Sequence, residues 1–129
     1  MSIEFSVIQR GEPGVVGGGV KKYYAASQSS GELTLAGLSK RIEQMCTVNG
    51  ADIRAVVYAM VEVMKIEMAD GKIVRLGELG SLRVNISSEG VENEEDVKAG
   101  IIRSAKVVFT PGKDLKTMLE TLTYEKMAK

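Results

Sequence analysis

Three patterns in the chain predict an α+β fold. Apolar residues recur at helical spacing over Thr34–Met45 and again over about Gly50–Met68. Extended runs punctuated by glycine follow: Ile73-Val74-Arg75-Leu76, then Ser81-Leu82-Arg83-Val84-Asn85-Ile86, then Lys106-Val107-Val108-Phe109 beyond a polar, acidic excursion from Ser87 to Gly100. Helical spacing then returns at Leu115, Met118, Leu119 and Leu122. Two helices, a three-stranded sheet and a third helix let each apolar stripe bury itself against another.

The composition fits one domain with a core: 129 residues, 44% apolar and 26% charged. No apolar run approaches the ~20 residues that span a bilayer, and Met1-Ser2-Ile3-Glu4 lacks a basic region followed by an apolar one. The expectation is a cytoplasmic protein without a membrane partner. The single cysteine, Cys46, cannot form an intrachain disulfide and reads as a small apolar residue near a helix end. Histidine is absent, which removes the usual soft metal sites and imidazole acid–base chemistry. Lys plus Arg equals Asp plus Glu at 17 each, so the chain lacks the basic excess typical of a nucleic-acid binder.

Taken in order, residues 1–30 read as an N-terminal extension whose strands pack on a body formed by residues 31–129. Ile3–Gln9 alternates as a strand, Gly11-Glu12-Pro13-Gly14 breaks it, and Gly17-Gly18-Gly19 permits a loop. Val20–Ala26 suits a second strand. The first helix starts with Thr34 as its cap and places Leu35, Leu38, Ile42 and Met45 on one face. Asn49 followed by Asp52 reads like a capping box for the second helix. Ile53, Val56, Val57, Met60, Val61, Val63, Met64, Ile66 and Met68 leave that helix too apolar for one wet side, which predicts burial of Met60, Val61 and Met64 against a partner chain. The alternative is a helix central to a monomer. Ala69-Asp70-Gly71 stops it. After the last helix, Thr123–Met127 alternates and is expected to pair with the strand around Lys22–Ala25, because each otherwise has an open edge.

At the end of the third extended run, Thr110-Pro111-Gly112-Lys113-Asp114-Leu115-Lys116 reads as strand into helix, with Thr110 as cap and Pro111 in the first helical turn. Free amides at a helix start beside the Lys113 ammonium would hold an anion, and Gly112 would let a backbone approach. The same residues also serve simply to shape a turn. Glu78-Leu79-Gly80-Ser81 forms a tight turn between the first two runs. Alternation places Arg75, Arg83 and Lys106 on one face, and Lys72, Lys98 and Arg103 lie nearby. Lys21-Lys22-Tyr23-Tyr24 offers cations and rings for stacking, or else a covering strand.

The order of two amphipathic helices, Val74–Leu82, a long excursion and Phe109–Lys116 resembles the HU and integration-host-factor family of histone-like bacterial DNA-binding proteins. The resemblance covers roughly Thr34 to Leu122. Lys21–Ala25 is similar to the end of the extension in a longer, HU-related subgroup. The resemblance implies an HU/IHF-like α+β fold with extra terminal strands. It also implies a homodimer with a saddle-shaped sheet, and non-enzymatic, largely sequence-non-specific binding of double-stranded DNA in the nucleoid. Carried onto this chain, the contact residues would be Lys113, Gly112, Thr110, Arg75, Arg83, Lys106, Arg103, Gly80 and Ser81.

Two departures stand out. Glu78 occupies a position that is usually glycine in the family. The arm, where the family has a basic Arg-Asn-Pro-x-Thr-Gly tip, here carries Glu89, Glu92, Glu94, Glu95 and Asp96, with neither proline nor a cation between Ile86 and Val97. Such an arm opposes phosphate, so the chain has a shortened acidic arm in place of an intercalating one. A helical turn near Glu94–Lys98 fits Asn93 as its cap, and the segment otherwise reads as a solvated connection. No phosphate loop, activated nucleophile or metal-ligand cluster is present, and no cofactor or small-molecule substrate is expected. A dimeric structural or protein-interaction module with the HU fold but little DNA affinity is the alternative function.

Overall fold

The structure, a computed structural model, describes residues 1–12 and 14–128. Pro13, part of the expected break after the first strand, lies outside the described residues. The chain is mixed α+β, with three α-helices and two three-stranded sheets among the described residues. It divides into two compact units, one formed by Met1–Thr34 with the segment from Leu119 onward and the other by Leu35–Met118.

In the first unit, β1 (Ile3–Arg10) lies between β2 (Lys22–Gln28) and β6 (Tyr124–Lys126). The β1–β2 pairing is antiparallel, from Glu4 opposite Gln28 to Arg10 opposite Lys22. The C-terminal strand does form, but its partner is β1 and not the expected Lys22–Ala25. It runs parallel to β1, with Ile3 opposite Tyr124 and Phe5 opposite Lys126. Hydrogen bonds from Ile3 N–H to the Thr123 carbonyl (2.8 Å) and from Met127 N–H to the Phe5 carbonyl (2.9 Å) seal this edge. Edge satisfaction is the operative principle, as the sequence suggests, but β1, the longest of the three strands, takes the centre and leaves Lys22–Gln28 outside.

The second unit opens with α1 (Leu35–Glu43) and α2 (Gly50–Ala69). Asn49 caps α2: its Oδ1 accepts from Asp52 N–H at 2.9 Å, and its Nδ2 donates to Asp52 Oδ2 at 3.1 Å. The Glu43 carboxylate at the end of α1 accepts from Gly50 N–H, tying the two helices at the bend. Gly71 has φ 85° and closes α2 at the predicted stop. Cys46, just beyond α1, is exposed.

The sheet of this unit has the order β3 (Val74–Arg75), β4 (Gly80–Ser88), β5 (Ile102–Pro111), all antiparallel. Both long strands extend further toward the arm than the apolar runs indicated, because cross-strand pairing holds polar residues such as Ser87 and Ser104 in register. Register separates the faces. Val74, Leu82, Val84, Ile86, Val107 and Phe109 share one, and Arg75, Ser81, Arg83, Asn85, Lys106 and Thr110 share the other.

The strand-to-helix turn also differs from expectation. Thr110 and Pro111 are not helical: β5 runs through Pro111, which pairs with Gly80, and α3 (Lys113–Glu120) begins at Lys113. Proline tolerates this place because it ends the strand, where its missing N–H interrupts no ladder bond.

Among the described residues, Ile53 is the one buried apolar side chain, at 7% exposure, and Ser39 the one buried polar side chain. Ser39 satisfies its hydroxyl by donating to the Leu35 carbonyl at 2.8 Å. By contrast Val56 and Ile66 on α2 are 65% and 67% exposed. Val61, Val63, Val84, Val107 and Phe109 are exposed as well.

Candidate nucleic-acid interface

The turn between β3 and β4 and the junction between β5 and α3 fold onto one another. Leu76 N–H donates to the Gly80 carbonyl (2.8 Å), and Gly112 N–H donates to the Leu79 carbonyl (2.9 Å). A 3₁₀ turn, Gly77–Leu79, lies between them. Two glycines make this approach possible. Gly80 has φ 142°, and a Cβ there would lie 2.7 Å from the Phe109 ring. A Cβ on Gly112 would lie 2.7 Å from the Glu78 carbonyl carbon and 2.9 Å from Gly80 N. Neither position accepts a side chain without moving backbone.

This close approach forms a cleft of about 330 Å³ lined by Arg75, Gly77, Gly80, Ser81, Thr110, Pro111, Gly112 and Lys116. It therefore gathers residues far apart in sequence. Register sets Arg75 beside Ser81 and Ser81 beside Thr110, so a guanidinium and two hydroxyls stand in one row across three strands. Lys116, three residues into α3, adds an ammonium, and its own N–H bonds to the Gly112 carbonyl at 3.0 Å. The cleft thus offers two cations, two hydroxyls and glycine backbone, a donor set that suits a phosphate oxygen.

Of the residues expected at the site, Arg75, Gly80, Ser81, Thr110 and Gly112 line this cleft. Arg83 and Lys106 lie further along the same sheet face. A second cleft of about 380 Å³ is formed there by Asn85, Ile86, Ser87, Ser104 and Lys106. Lys113 is the first residue of α3 but does not line the cleft; Lys116, one turn on, does. Glu78 is absent from the lining as well, and Asp114 brings a carboxylate to the first turn of α3. Sequence reasoning passes over Lys116 as a phosphate ligand although it belongs to the same motif. Its helical offset from Gly112 is the available signal, obscured by placing the helix start at Pro111.

Arg103 stands apart from that row. The register shifts between Ser87 and Ser88, so that Ser104 pairs with Ser87 while Ile102 pairs with Ser88. Arg103 falls at this bulge, and its guanidinium forms an ion pair with Glu89. Beyond the bulge, Glu94–Asp96 make the short helical turn, of 3₁₀ type, with Val97 N–H bonded to the Glu94 carbonyl at 3.1 Å. Asn93 does not cap it through its side chain.

No group of three or more His, Cys, Asp or Glu among the described residues could hold a metal ion. No helix of the described residues is long and apolar enough to cross a membrane.

A search of curated proteins gave no match. Among solved structures, the chain is similar to a candidate bacterial DNA-binding protein from Bacteroides vulgatus, with a TM-score of 0.68 at 14% identity. That similarity covers 98% of this chain and 48% of the other, so the chain spans about half the length of that relative. At this identity the likeness speaks to the fold. The model of a family described as an HU domain fused to wHTH, Ig, or a glycine-rich motif matches residues 1–126, and the chain belongs to that family.

Proposed function

We propose that this chain binds double-stranded DNA through its phosphate backbone, with little sequence preference, as a homodimer associated with the nucleoid in the cytoplasm. The observation that carries this reading is the cleft that gathers Arg75, Ser81, Thr110 and Lys116 on the sheet face shared with Arg83 and Lys106. Hydroxyls, backbone and fixed cations position a phosphate but read no base edge. The HU-type family model and the description of the Bacteroides relative support the same partner.

Dimerisation is supported by how few apolar side chains are buried among the described residues. A 129-residue chain should remove most of its apolar surface from water. Here Val56, Met60, Val61, Val63 and Ile66 of α2 and Val84, Val107 and Phe109 of the sheet remain exposed. A second copy covering Met60, Val61, Val63 and the neighbouring Met64 would supply the missing burial, doubling the cationic face at the same time. The function needs no cofactor, small-molecule substrate or catalytic group.

The test is a duplex titration at two or more salt concentrations with light scattering on the same samples. Binding should fall steeply with salt, and the scattering mass should be that of two chains. A monomer at micromolar concentration, or no salt-dependent binding, overturns the corresponding half of the proposal. A second reading, a dimeric structural or protein-interaction module, is favoured by Glu92, Glu94, Glu95 and Asp96 on the arm. It predicts the dimer without the DNA affinity.

A further inference from the structure

The sheet of the Met1–Thr34 unit has an open side: β2 pairs with β1 along one edge and carries no strand on the other. Its seven residues, Lys22–Gln28, hold their register against β1 without a bulge, contain no proline, and are exposed except at Ala26. Edges of this kind are ordinarily protected by charges, proline or a bulge. Here Lys22, at the very end, is the one charged residue of the strand.

The hydrogen bonds on the far side of the sheet show which backbone groups face that edge. Ile3 N–H donates to the Thr123 carbonyl, and the Phe5 carbonyl accepts from Met127 N–H, so these β1 residues turn their backbone groups toward β6. Such groups alternate sides along a strand, and Glu4, Ser6, Ile8 and Arg10 therefore turn theirs toward β2. Gln28, Ala26, Tyr24 and Lys22 stand opposite them. The N–H and C=O groups of Tyr23, Ala25 and Ser27 are left facing outward.

An antiparallel copy of β2 centred on Ala25 meets this edge in full. Ala25 then opposes Ala25 of the second copy and Tyr23 opposes its Ser27, so each outward N–H and C=O finds its counterpart. The same register arranges charge. Arg10 and Lys22 stand side by side at one end of the sheet, whereas Gln28, Glu4 and Glu125 form a row at the other. Across the join Lys22 opposes Gln28 of the second copy, so two cations continue into a row that carries two carboxylates, and symmetry repeats the arrangement. None of these four charged groups has an ion-pair partner among the described residues. On the other face Tyr23, 71% exposed, lies against the small Ser27 and Ala25 of the second copy. Many strands satisfy a backbone edge; the continuation of cations into carboxylates is what favours a second copy of this chain.

We propose that the β2 edge joins two copies of the chain as a symmetric antiparallel pair centred on Ala25, which merges their two three-stranded sheets into one. The contact uses residues apart from α2 and from the phosphate cleft, and it does not depend on DNA binding.

The experiment is disulfide trapping in the full chain carrying Cys46→Ser, since Cys46 is exposed. The Cα atoms of a hydrogen-bonded antiparallel pair lie about 5.5 Å apart, within disulfide reach. Ala25→Cys should therefore pass to a linked dimer at least about tenfold faster than Tyr23→Cys, whose two copies are offset along the strands. Chains with Tyr23→Cys and chains with Ser27→Cys should link to each other when mixed, and neither to itself. Adding Lys22→Glu to the Ala25→Cys chain should slow trapping about threefold at low salt, and adding Glu4→Lys as well should restore it. Equal rates for Ala25→Cys and Tyr23→Cys would mean collision without register and would overturn the proposal. So would absence of the mixed pair, a rate indifferent to Lys22→Glu, or an Ala25→Cys chain that stays unlinked, which would leave the edge to a strand of another protein. Trapping reads the β2 edge alone, so its failure leaves a dimer through α2 standing, and light scattering tests that dimer separately.

Discussion

One hairpin, β4–β5, ends in two opposite chemistries. At its Gly80–Pro111 end the backbone is folded tightly on itself, glycines replace side chains, and Arg75 and Lys116 border a cleft lined by hydroxyls. At its Ser88–Ile102 end the register slips, a cleft there is mostly aliphatic with Lys98 in its lining, and the arm sequence just before it, Glu92–Asp96, is rich in carboxylates. The chain's zero net charge hides this segregation. A protein with balanced charges can still present a cationic surface, provided that the acidic residues collect on a separate element. Charge balance alone is therefore poor evidence against an anion partner, because a phosphate responds to charges within about a Debye length.

The contrast is broken most completely at its tight end. Gly80→Ala places a methyl group at φ 142° against the Phe109 ring, so the variant should lose about 3 kcal/mol of stability and the cleft with it. Chemical denaturation measures this, and an unchanged midpoint would mean that the turn relaxes freely. Next in size is the removal of charge. Lys116→Ala should weaken duplex binding for all sequences alike, lowering the salt slope by about one unit for each phosphate interaction removed, or about two for a dimer using both copies. Lys113→Ala, outside the cleft lining, should have the smaller effect. Equal slopes for the two variants would return Lys113 to the site.

Replacing Glu94, Glu95 and Asp96 by lysine should strengthen duplex binding at low salt, because like charge is removed and new phosphate interactions become available. Unchanged affinity would place the arm away from the duplex. The smallest effect belongs to Glu89→Gln, which frees Arg103. The pair is exposed on both sides, so stability should change by less than about 0.5 kcal/mol, read as a shift in the denaturation midpoint. A larger loss would show that this ion pair fixes the bulge.

Much of the fold was legible in local patterns. Asn49 and Asp52 announced the start of α2, Gly71 its end, and the alternation of Ser81–Ile86 placed Arg75, Arg83 and Lys106 on one face. These signals are short in range, and the physics behind them, capping and pleat period, acts within a few residues. Thr110 and Pro111 misled because a helix cap and a strand end favour the same residue types. Only pairing with Ser81 and Gly80 decides between them. The candidate cleft was legible in the same uneven way. Its residue types could be read along the chain, but the exchange of Lys113 for Lys116 in the cleft lining turns on where α3 begins.

Composition and periodicity fix the presence of the helices and long strands, their amphipathic faces and the acidic character of the arm before any long-range contact forms. Long-range pairing settled three other things: that β6 joins β1, that Arg103 falls at a bulge beside Glu89, and that aliphatic residues at the base of the arm line an open cleft. Each depends on which backbone edge or side chain from a distant segment arrives with its hydrogen bonds satisfied. Strand partnership is a choice among several edges of similar local propensity, and only the summed pairing across the whole sheet ranks them.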